Sequence, residues 1–325
     1  MATDSAWLAA AIALSRRTTG RTVPNPNVGC ILIDSAGRVI GRGWTQPGGR
    51  PHAEAMALDE AGAAARGATA YVSLEPCAHE STRGPCCADL LIGAGVARVV
   101  IALTDPDPRT NGAGSARLRA AGIAVEAGLR ADEARAAMAG FLTRQQHRRP
   151  AVTLKLAISL DGCIALADGT SQWITGAAAR AHAHLERARH ELILVGRGTI
   201  AADHPRLDVR LPGLADRAPR RCVLSQSGAA PEGWLAIERP EEIAGLPGDH
   251  LLIEGGAKTA AAFLEADLVD RLLLYRAPIL IGGGKPCLTD IGLIDLTDAH
   301  GRWRLVDART FAPDRLEVYE RMRAG

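Results

Sequence analysis

A chain of 325 residues, 47% hydrophobic and 23% charged, has the composition of an ordinary globular protein and the length of two domains. A formal net charge of +2 with no long basic run argues against a nucleic-acid binder, which needs clustered cations to neutralise phosphates. No apolar run reaches the length of a membrane span. Seven cysteines, an odd number in a chain too long to need disulfide staples, read as reduced thiols of a cytoplasmic protein.

In chain order, Trp7 to Leu14, with Asp4 ahead and Arg16-Arg17 behind, predicts an amphipathic helix; a signal peptide would carry its positive charge first. Val28 to Asp34 and Val39 to Trp44, joined through Ser35-Ala36-Gly37, predict a hairpin. His52 to Ala65 predicts a helix, with Pro51 at its start and Gly67 beyond its end. Thr69 to Leu74 is a strand leading into Pro76-Cys77. Cys86 to Gly93 follows as a helix, then Arg98 to Leu103 and Ile123 to Ala127 as strands.

This series carries a constellation: His52-Ala53-Glu54, Pro76-Cys77 and Pro85-Cys86. One imidazole and two thiols hold a zinc ion and leave one tetrahedral position for water, which separates a catalytic site from a closed structural one. Glu54 is placed to touch that water without being a ligand, where a proton shuttle belongs. The pattern is the signature of zinc-dependent nucleobase deaminases, apart from the long segment 78–85 between the cysteines. Cys86 is preferred to Cys87 as ligand, because Pro85-Cys86 suits a helix start and a helix N-terminus favours thiolate. The long loop brings His79 and Arg83 within reach of an anionic substrate group. The bland alternative, a structural zinc site or reduced core cysteines beside His52, needs His, Glu and two Pro-Cys pairs to coincide by chance.

The polar run Arg144 to Pro150 reads as a linker, giving domains 1–146 and 150–325. In the second half, Val152 to Leu160, Glu191 to Val195, Arg221 to Leu224, Leu251 to Glu254 and Leu272 to Tyr275 predict strands. A closing pair falls near Arg304 to Phe311 and Arg315 to Glu320. Ala177 to Arg189 and Ala257 to Glu265 predict helices, and Leu211 to Pro219 and Ser225 to Pro247 loops. Three glycine-bearing strand ends, Gly196-Arg197-Gly198-Thr199, Glu254-Gly255-Gly256 and Gly282-Gly283-Gly284, point to a crevice for a dinucleotide or phosphorylated substrate. Lys155, Arg187, Asp203 and Arg210 are its candidate charges.

These motifs together resemble the bifunctional riboflavin-biosynthesis deaminase/reductase family over nearly the whole chain. The first half carries the resemblance through Pro24-Asn25-Pro26-Asn27-Val28-Gly29, His52-Ala53-Glu54, Leu74-Glu75-Pro76-Cys77-Ala78-His79 and Pro85-Cys86. The second half carries it through Lys155 to Gly162, Ser171-Gln172-Trp173-Ile174-Thr175, Val195 to Thr199 with Asp203, and Glu254-Gly255-Gly256-Ala257. Ser225 stands where relatives often carry Asp. The resemblance implies an α/β protein, with an N-terminal cytidine-deaminase-like three-layer domain and a C-terminal dihydrofolate-reductase-like domain. It implies Zn2+ on His52, Cys77 and Cys86, Glu54 as catalytic residue, and Asn25 and His79 as deaminase substrate contacts. In the reductase it implies substrate contacts from Ser171, Arg187, Leu207, Arg210 and Glu254. NADPH contacts fall to Ala157, Trp173, Thr199, Asp203 and the segment from Gly256, and Lys155 becomes a candidate catalytic group. The implied partner is a small-molecule pyrimidine ribosyl phosphate, with neither nucleic acid nor membrane. A nucleic-acid-editing deaminase would need a basic channel and stacking aromatics, and aromatics are only 3% here. Relatives are often homo-oligomers, although no interface is legible in the residues.

Overall fold

The computed structural model describes residues 3–79 and 82–323. The chain divides into two units, 1–148 and 149–325.

In the first unit α1 (Asp4–Ser15) is capped by Thr3, whose hydroxyl accepts from the Ala6 amide at 3.3 Å. β1 (Gly29–Ile33) and β2 (Val39–Trp44) form the expected hairpin. α2 (Ala53–Ala61), β3 (Thr69–Val72), α3 (Cys87–Ala94), β4 (Arg98–Ile101), α4 (Ala113–Ala120), β5 (Ala124–Ala127), α5 (Ala131–Ala137) and α6 (Ala139–His147) follow. The sheet runs β2-β1-β3-β4-β5, with β1 antiparallel to both neighbours and β3, β4 and β5 parallel. Two glycines set its layers. A Cβ on Gly29 would lie 1.9 Å from the Ala11 carbonyl of α1, and one on Gly43 1.9 Å from the Ala53 carbonyl of α2. Gly29 pairs with Trp44, so Gly29 and Gly43 point to opposite faces of the sheet. The two helix backbones therefore sit directly on the sheet, one on each side. The α2 contact seats the N-terminus of that helix, with His52 and Glu54, close to the strands.

In the second unit β6 (Ala151–Ile158), β7 (Cys163–Ala165), α7 (Ala177–Arg187), β8 (Leu192–Gly196), α8 (Arg197–Asp203), β9 (Arg220–Leu224) and β10 (Leu235–Ile237) come first. β11 (His250–Ile253), α9 (Ala257–Glu265), β12 (Arg271–Arg276), β13 (Lys285–Pro286), β14 (Trp303–Phe311) and β15 (Asp314–Arg321) complete it. The main sheet is β10-β9-β8-β11-β6-β12-β15-β14, parallel from β10 to β12 and antiparallel through the last two pairings. Its central strands are buried and aliphatic, as parallel strands covered on both faces must be; Val152, Leu154, Leu192, Leu194 and Ile253 form the core with Phe263 of α9. β7 and β13 make a small separate ladder.

The structure departs from the sequence expectations at identifiable places. The helix expected over 52–65 ends at Ala61, where Gly62 takes φ +52° and the chain tightens into a 3-10 turn. β10 crosses the segment expected to be loop. Gly196 to Thr199 is not an open glycine loop: Gly196 caps the short helix α8. Gly282-Gly283-Gly284 does not line the crevice. Its Gly282 amide donates to Asp161 at 2.8 Å, which folds that turn back on the end of β6.

Candidate functional site

The first site forms where β3 runs out and α2 and α3 begin. His52 precedes α2, its Nδ1 3.2 Å from Cys87 Sγ and 3.7 Å from Cys77 Sγ. The three ligand atoms lie within 4.8 Å of one another. The gathered thiol is thus Cys87, and the expected ligand Cys86 lies outside the cluster. The start of α3 explains this arrangement. The Cys87 and Ala88 amides dock on Cys77, donating to its Sγ at 3.3 Å and its carbonyl at 3.1 Å. That docking carries the Cys87 side chain inward. Cys86, the N-cap in extended backbone, turns its sulfur to Arg117 Nη1 at 3.2 Å.

The electrostatics suit a soft cation. Donation from the Cys87 thiol, then from His52, outweighs burial and pulls Cys77 down to about 4. Cys87 is held as the thiol by that donation and by burial. One imidazole with thiolate sulfur is the donor chemistry zinc prefers, so these residues fit the ion the sequence pattern implies. Glu54 is 3% exposed and faces the same cluster; burial raises its pKa, which readies the carboxyl to hold a proton.

Asn25, expected as a substrate contact, lies beside His52. Its Nδ2 lies 2.8 Å from the Gly49 carbonyl and 2.8 Å from His52 Nε2, so it fixes the imidazole from the side away from the sulfurs. His79 stands at the rim, its Nδ1 3.3 Å from the buried Thr110 hydroxyl. Arg83 donates to the Gly48 carbonyl at 2.6 Å, which ties the long loop to the segment ahead of His52. Glu75 adds a structural role that its sequence motif does not mark. Its buried carboxylate accepts from the Ser115, Gly112 and Asp105 amides at 2.8, 2.9 and 3.3 Å. It thereby holds segment 105–115, with Thr110, against the cysteine loop. The signal was its place beside Pro76-Cys77.

The second site is a cleft of about 1350 Å³ at the carboxyl ends of the parallel strands of the second unit. Apart from Gly282-Gly283-Gly284, the second-half residues implicated by the sequence line it: Lys155, Ala157, Ser171, Trp173, Arg187, Thr199, Asp203, Leu207, Arg210, Glu254 and Gly256. Glu254, at the end of β11, is its charged centre. Arg187 Nε and Nη2 grip the two carboxylate oxygens at 2.7 and 2.9 Å, and Lys155 Nζ stands at 3.8 Å. Burial works against the charge, but Lys155 and Arg187 pull Glu254 down to about 2. The Arg187 fork, expected as a substrate contact, is held on Glu254 in this structure.

The other end of the cleft is built for close backbone approach. A Cβ on Gly196 would stand 2.2 Å from Thr259 Oγ1, and one on Gly255 2.7 Å from Thr259 Cβ. Thr259, in the first turn of α9, wedges between the two strand ends, so both must be glycine for the helix N-terminus to open on the cleft. The sequence marks those glycines but not their common neighbour. Exposed Arg197 and Lys258 lend positive charge there, and the volume and charge fit a dinucleotide. Trp173 is 62% exposed on the cleft wall, with the Arg180 guanidinium 4.6 Å from its ring centre.

Fold and sites together define a zinc-type deaminase joined in one chain to a nucleotide-dependent reductase. The cytidine and deoxycytidylate deaminase zinc-binding region matches residues 1–103, and the RibD C-terminal domain matches residues 150–239 and 241–316. The riboflavin biosynthesis protein RibD of Mycobacterium tuberculosis is 40% identical, with 94% of each chain covered. That of Escherichia coli is 39% identical, with 96% of this chain and 97% of the relative covered. Among solved structures, Acinetobacter baumannii RibD superposes with a TM-score of 0.88 at 35% identity, covering 98% of this chain and 99% of its own. The Thermotoga maritima diaminohydroxyphosphoribosylaminopyrimidine deaminase/5-amino-6-(5-phosphoribosylamino)uracil reductase gives 0.86 at 29% identity, with the same coverage. The chain belongs to the RibD family of riboflavin-biosynthesis enzymes, which pair a zinc-dependent deaminase with an NADPH-dependent reductase. Among the described residues, no helix is long and apolar enough to cross a membrane.

Proposed function

We propose that the two units act in sequence on one pyrimidine ribosyl phosphate. The first hydrolyses the 2-amino group of 2,5-diamino-6-(5-phosphoribosylamino)pyrimidin-4-one; the second reduces the ribosyl group of the resulting aminouracil to ribityl. The observation that carries this reading is the pairing, in one chain, of the His52–Cys77–Cys87 cluster beside buried Glu54 with a cleft centred on Glu254, Lys155 and Arg187.

In the deaminase, His52, Cys77 and one thiol of the Cys86–Cys87 pair hold the metal. The sulfur position beside His52 and Cys77 supports Cys87, and the Pro85-Cys86 spacing supports Cys86. Bound zinc supplies the Lewis acidity that makes a water nucleophilic near neutral pH. Glu54 takes one proton from the attacking water and gives it to the ring nitrogen; it then takes the remaining hydroxyl proton of the adduct and gives it to the amine, which leaves as ammonia while the C2 carbonyl forms. Asn25 orients His52 and meets the substrate, and His79 meets it at the rim. In the reductase, NADPH supplies the hydride for C1′. The chain contributes Thr199, Asp203, Trp173, Ala157 and the α9 start to the cofactor, and Ser171, Leu207 and Arg210 to the substrate. Glu254 fixes Lys155 at 3.8 Å, where the ammonium can protonate the sugar ring oxygen as the ring opens. Arg187 acts through Glu254. Seven unpaired cysteines support a reducing, cytoplasmic setting.

Glu54→Gln tests the assignment. It is expected to keep full zinc content and reductase activity while abolishing deamination; retained turnover would remove Glu54 from the mechanism.

A further inference from the structure

The strand-end cleft holds a histidine that no part of the proposed chemistry uses. His184 lies on α7, one turn before Arg187, and is buried. Its ring is surrounded by segment 206–210. Nε2 is 3.3 Å from Arg210 Nε, and Nδ1 is 3.1 Å from the Asp208 carbonyl and 3.3 Å from the Arg210 amide. With its proton on Nδ1 the ring donates to the Asp208 carbonyl and accepts from Arg210 Nε at Nε2, giving up the Arg210 amide; the other tautomer keeps the amide bond to Nδ1 and loses both of those. Burial, with Arg187 and Arg210 nearby, lowers the His184 pKa and keeps the ring neutral, as an acceptor must be.

The two arginines of the cleft are therefore used differently. Arg187 spends Nε and Nη2 on Glu254 and Nη1 on the Asp208 carbonyl. Arg210 spends only Nε, on His184 and more distantly on Asp208 Oδ1 at 3.5 Å. Among the described residues, neither of its Nη groups has a protein partner, and its side chain is 52% exposed. A half-exposed arginine carries about 2 kcal/mol of rotamer entropy, so something must aim it before it can read an anion well. Arg206, bonded to Asp208 Oδ2 at 2.6 Å, and Leu207, held at φ +53°, fix the turn that delivers Arg210 to the imidazole.

We propose that His184 is a positioning residue for phosphate recognition in the reductase: by holding Arg210 Nε and the Asp208 carbonyl, it aims the free Nη pair of Arg210 at the substrate's phosphate. This rests on the reading of the cleft as a site for a ribosyl phosphate. It assigns the phosphate to Arg210 alone of the two arginines and gives α7 two jobs, His184 for phosphate and Arg187 for Glu254.

The test uses the full chain and compares His184→Ala, His184→Gln, Arg210→Ala and His184→Ala/Arg210→Ala. Each is assayed in the reductase reaction with the phosphorylated aminouracil substrate and with its dephosphorylated analogue. His184→Ala is expected to raise KM for the phosphorylated substrate about tenfold, the scale of one lost charge-assisted contact, with kcat within about twofold. Glutamine, which can accept from Arg210 and donate to the Asp208 carbonyl, should restore KM to within about threefold of wild type. The double variant should be no worse than Arg210→Ala, because the histidine acts through the arginine. The dephosphorylated analogue should show no difference between wild type and His184→Ala. Deaminase turnover by the same preparations reports intact protein. An unchanged KM in His184→Ala, an equal loss on both substrates, or losses that add with Arg210→Ala would each overturn the proposal. If wild type binds NADPH but reduces neither substrate, the proposed function falls instead. Calorimetric titration with ribose 5-phosphate then decides the arginine cradle: weaker binding by His184→Ala upholds it, and equal binding refutes it.

Discussion

Replacing Arg187 with methionine removes the fork on Glu254 while filling much of its space. Glu254 is 9% exposed on its side chain and would keep only Lys155, at 3.8 Å, as a counter-charge. Its fall from the ordinary 4.5 to about 2 corresponds to roughly 3 kcal/mol of preference for the charged form, at 1.36 kcal/mol per pKa unit. Breaking a buried pair by removing one partner costs about 3–5 kcal/mol. Arg187→Met should therefore destabilise the second unit by about 3 kcal/mol at pH 7. The sign with pH follows from the depressed value. The stabilisation is fully present above 4.5 and is lost as pH falls towards about 2, so wild type and variant should converge in acid. Removing the charges as a pair, in Arg187→Met/Glu254→Gln, should recover at least half of the loss. A two-unit chain is not a two-state system, so the assay is amide hydrogen exchange on β6, β8 and β11, which reads the second unit by itself. A loss below about 1 kcal/mol, the range of an exposed ion pair, or no recovery in the double variant would refute the reasoning.

The other predictions concern close contacts and ligands. Gly43→Ala places a methyl 1.9 Å from the Ala53 carbonyl and must push α2 off the sheet; deaminase activity and zinc affinity should fall while NADPH binding is unchanged, and an unaltered zinc titration would count against it. Gly196→Ala drives its Cβ into Thr259 Oγ1 and should weaken NADPH binding at least about tenfold, with partial rescue by Thr259→Ala, read by cofactor fluorescence. Cys87→Ser should lose most of its zinc by metal analysis, and Cys86→Ser should keep it. The reverse would return the third ligand to Cys86 and mean that the first turn of α3 rotates when metal binds.

The strands and the longer helices were legible because aliphatic runs and their punctuation are local. β1, β2 and the β14–β15 pair fall within a residue or two of where Val28 to Trp44 and Arg304 to Glu320 placed them. α4, α5 and α6 were not, because alanine is compatible with every face and marks no stripe over 113–147. α8 hid behind two glycines that read as a loop. Of the two, Gly196 serves close packing against Thr259 of α9, a contact between neighbouring strand ends that is invisible in sequence, while Gly198 meets nothing. The chemistry was more legible than the geometry. Spacing marks His52, Glu54 and Cys77, which the structure gathers at one place, but which of adjacent Cys86 and Cys87 joins them depends on how α3 docks on Cys77. The residues implicated in the reductase do share one cleft. Their division of labour, with Arg187 on Glu254 and Arg210 on His184, is set by side-chain contacts between distant elements.

The most direct test of the account is mass spectrometry of the products formed when zinc-loaded protein meets the diaminopyrimidinone ribosyl phosphate, with and without NADPH. The account predicts the deaminated ribosyl product without cofactor and the ribityl product with it. A ribityl product that still carries the 2-amino group would contradict the order of the two reactions, and unchanged substrate in both tubes would contradict the substrate itself.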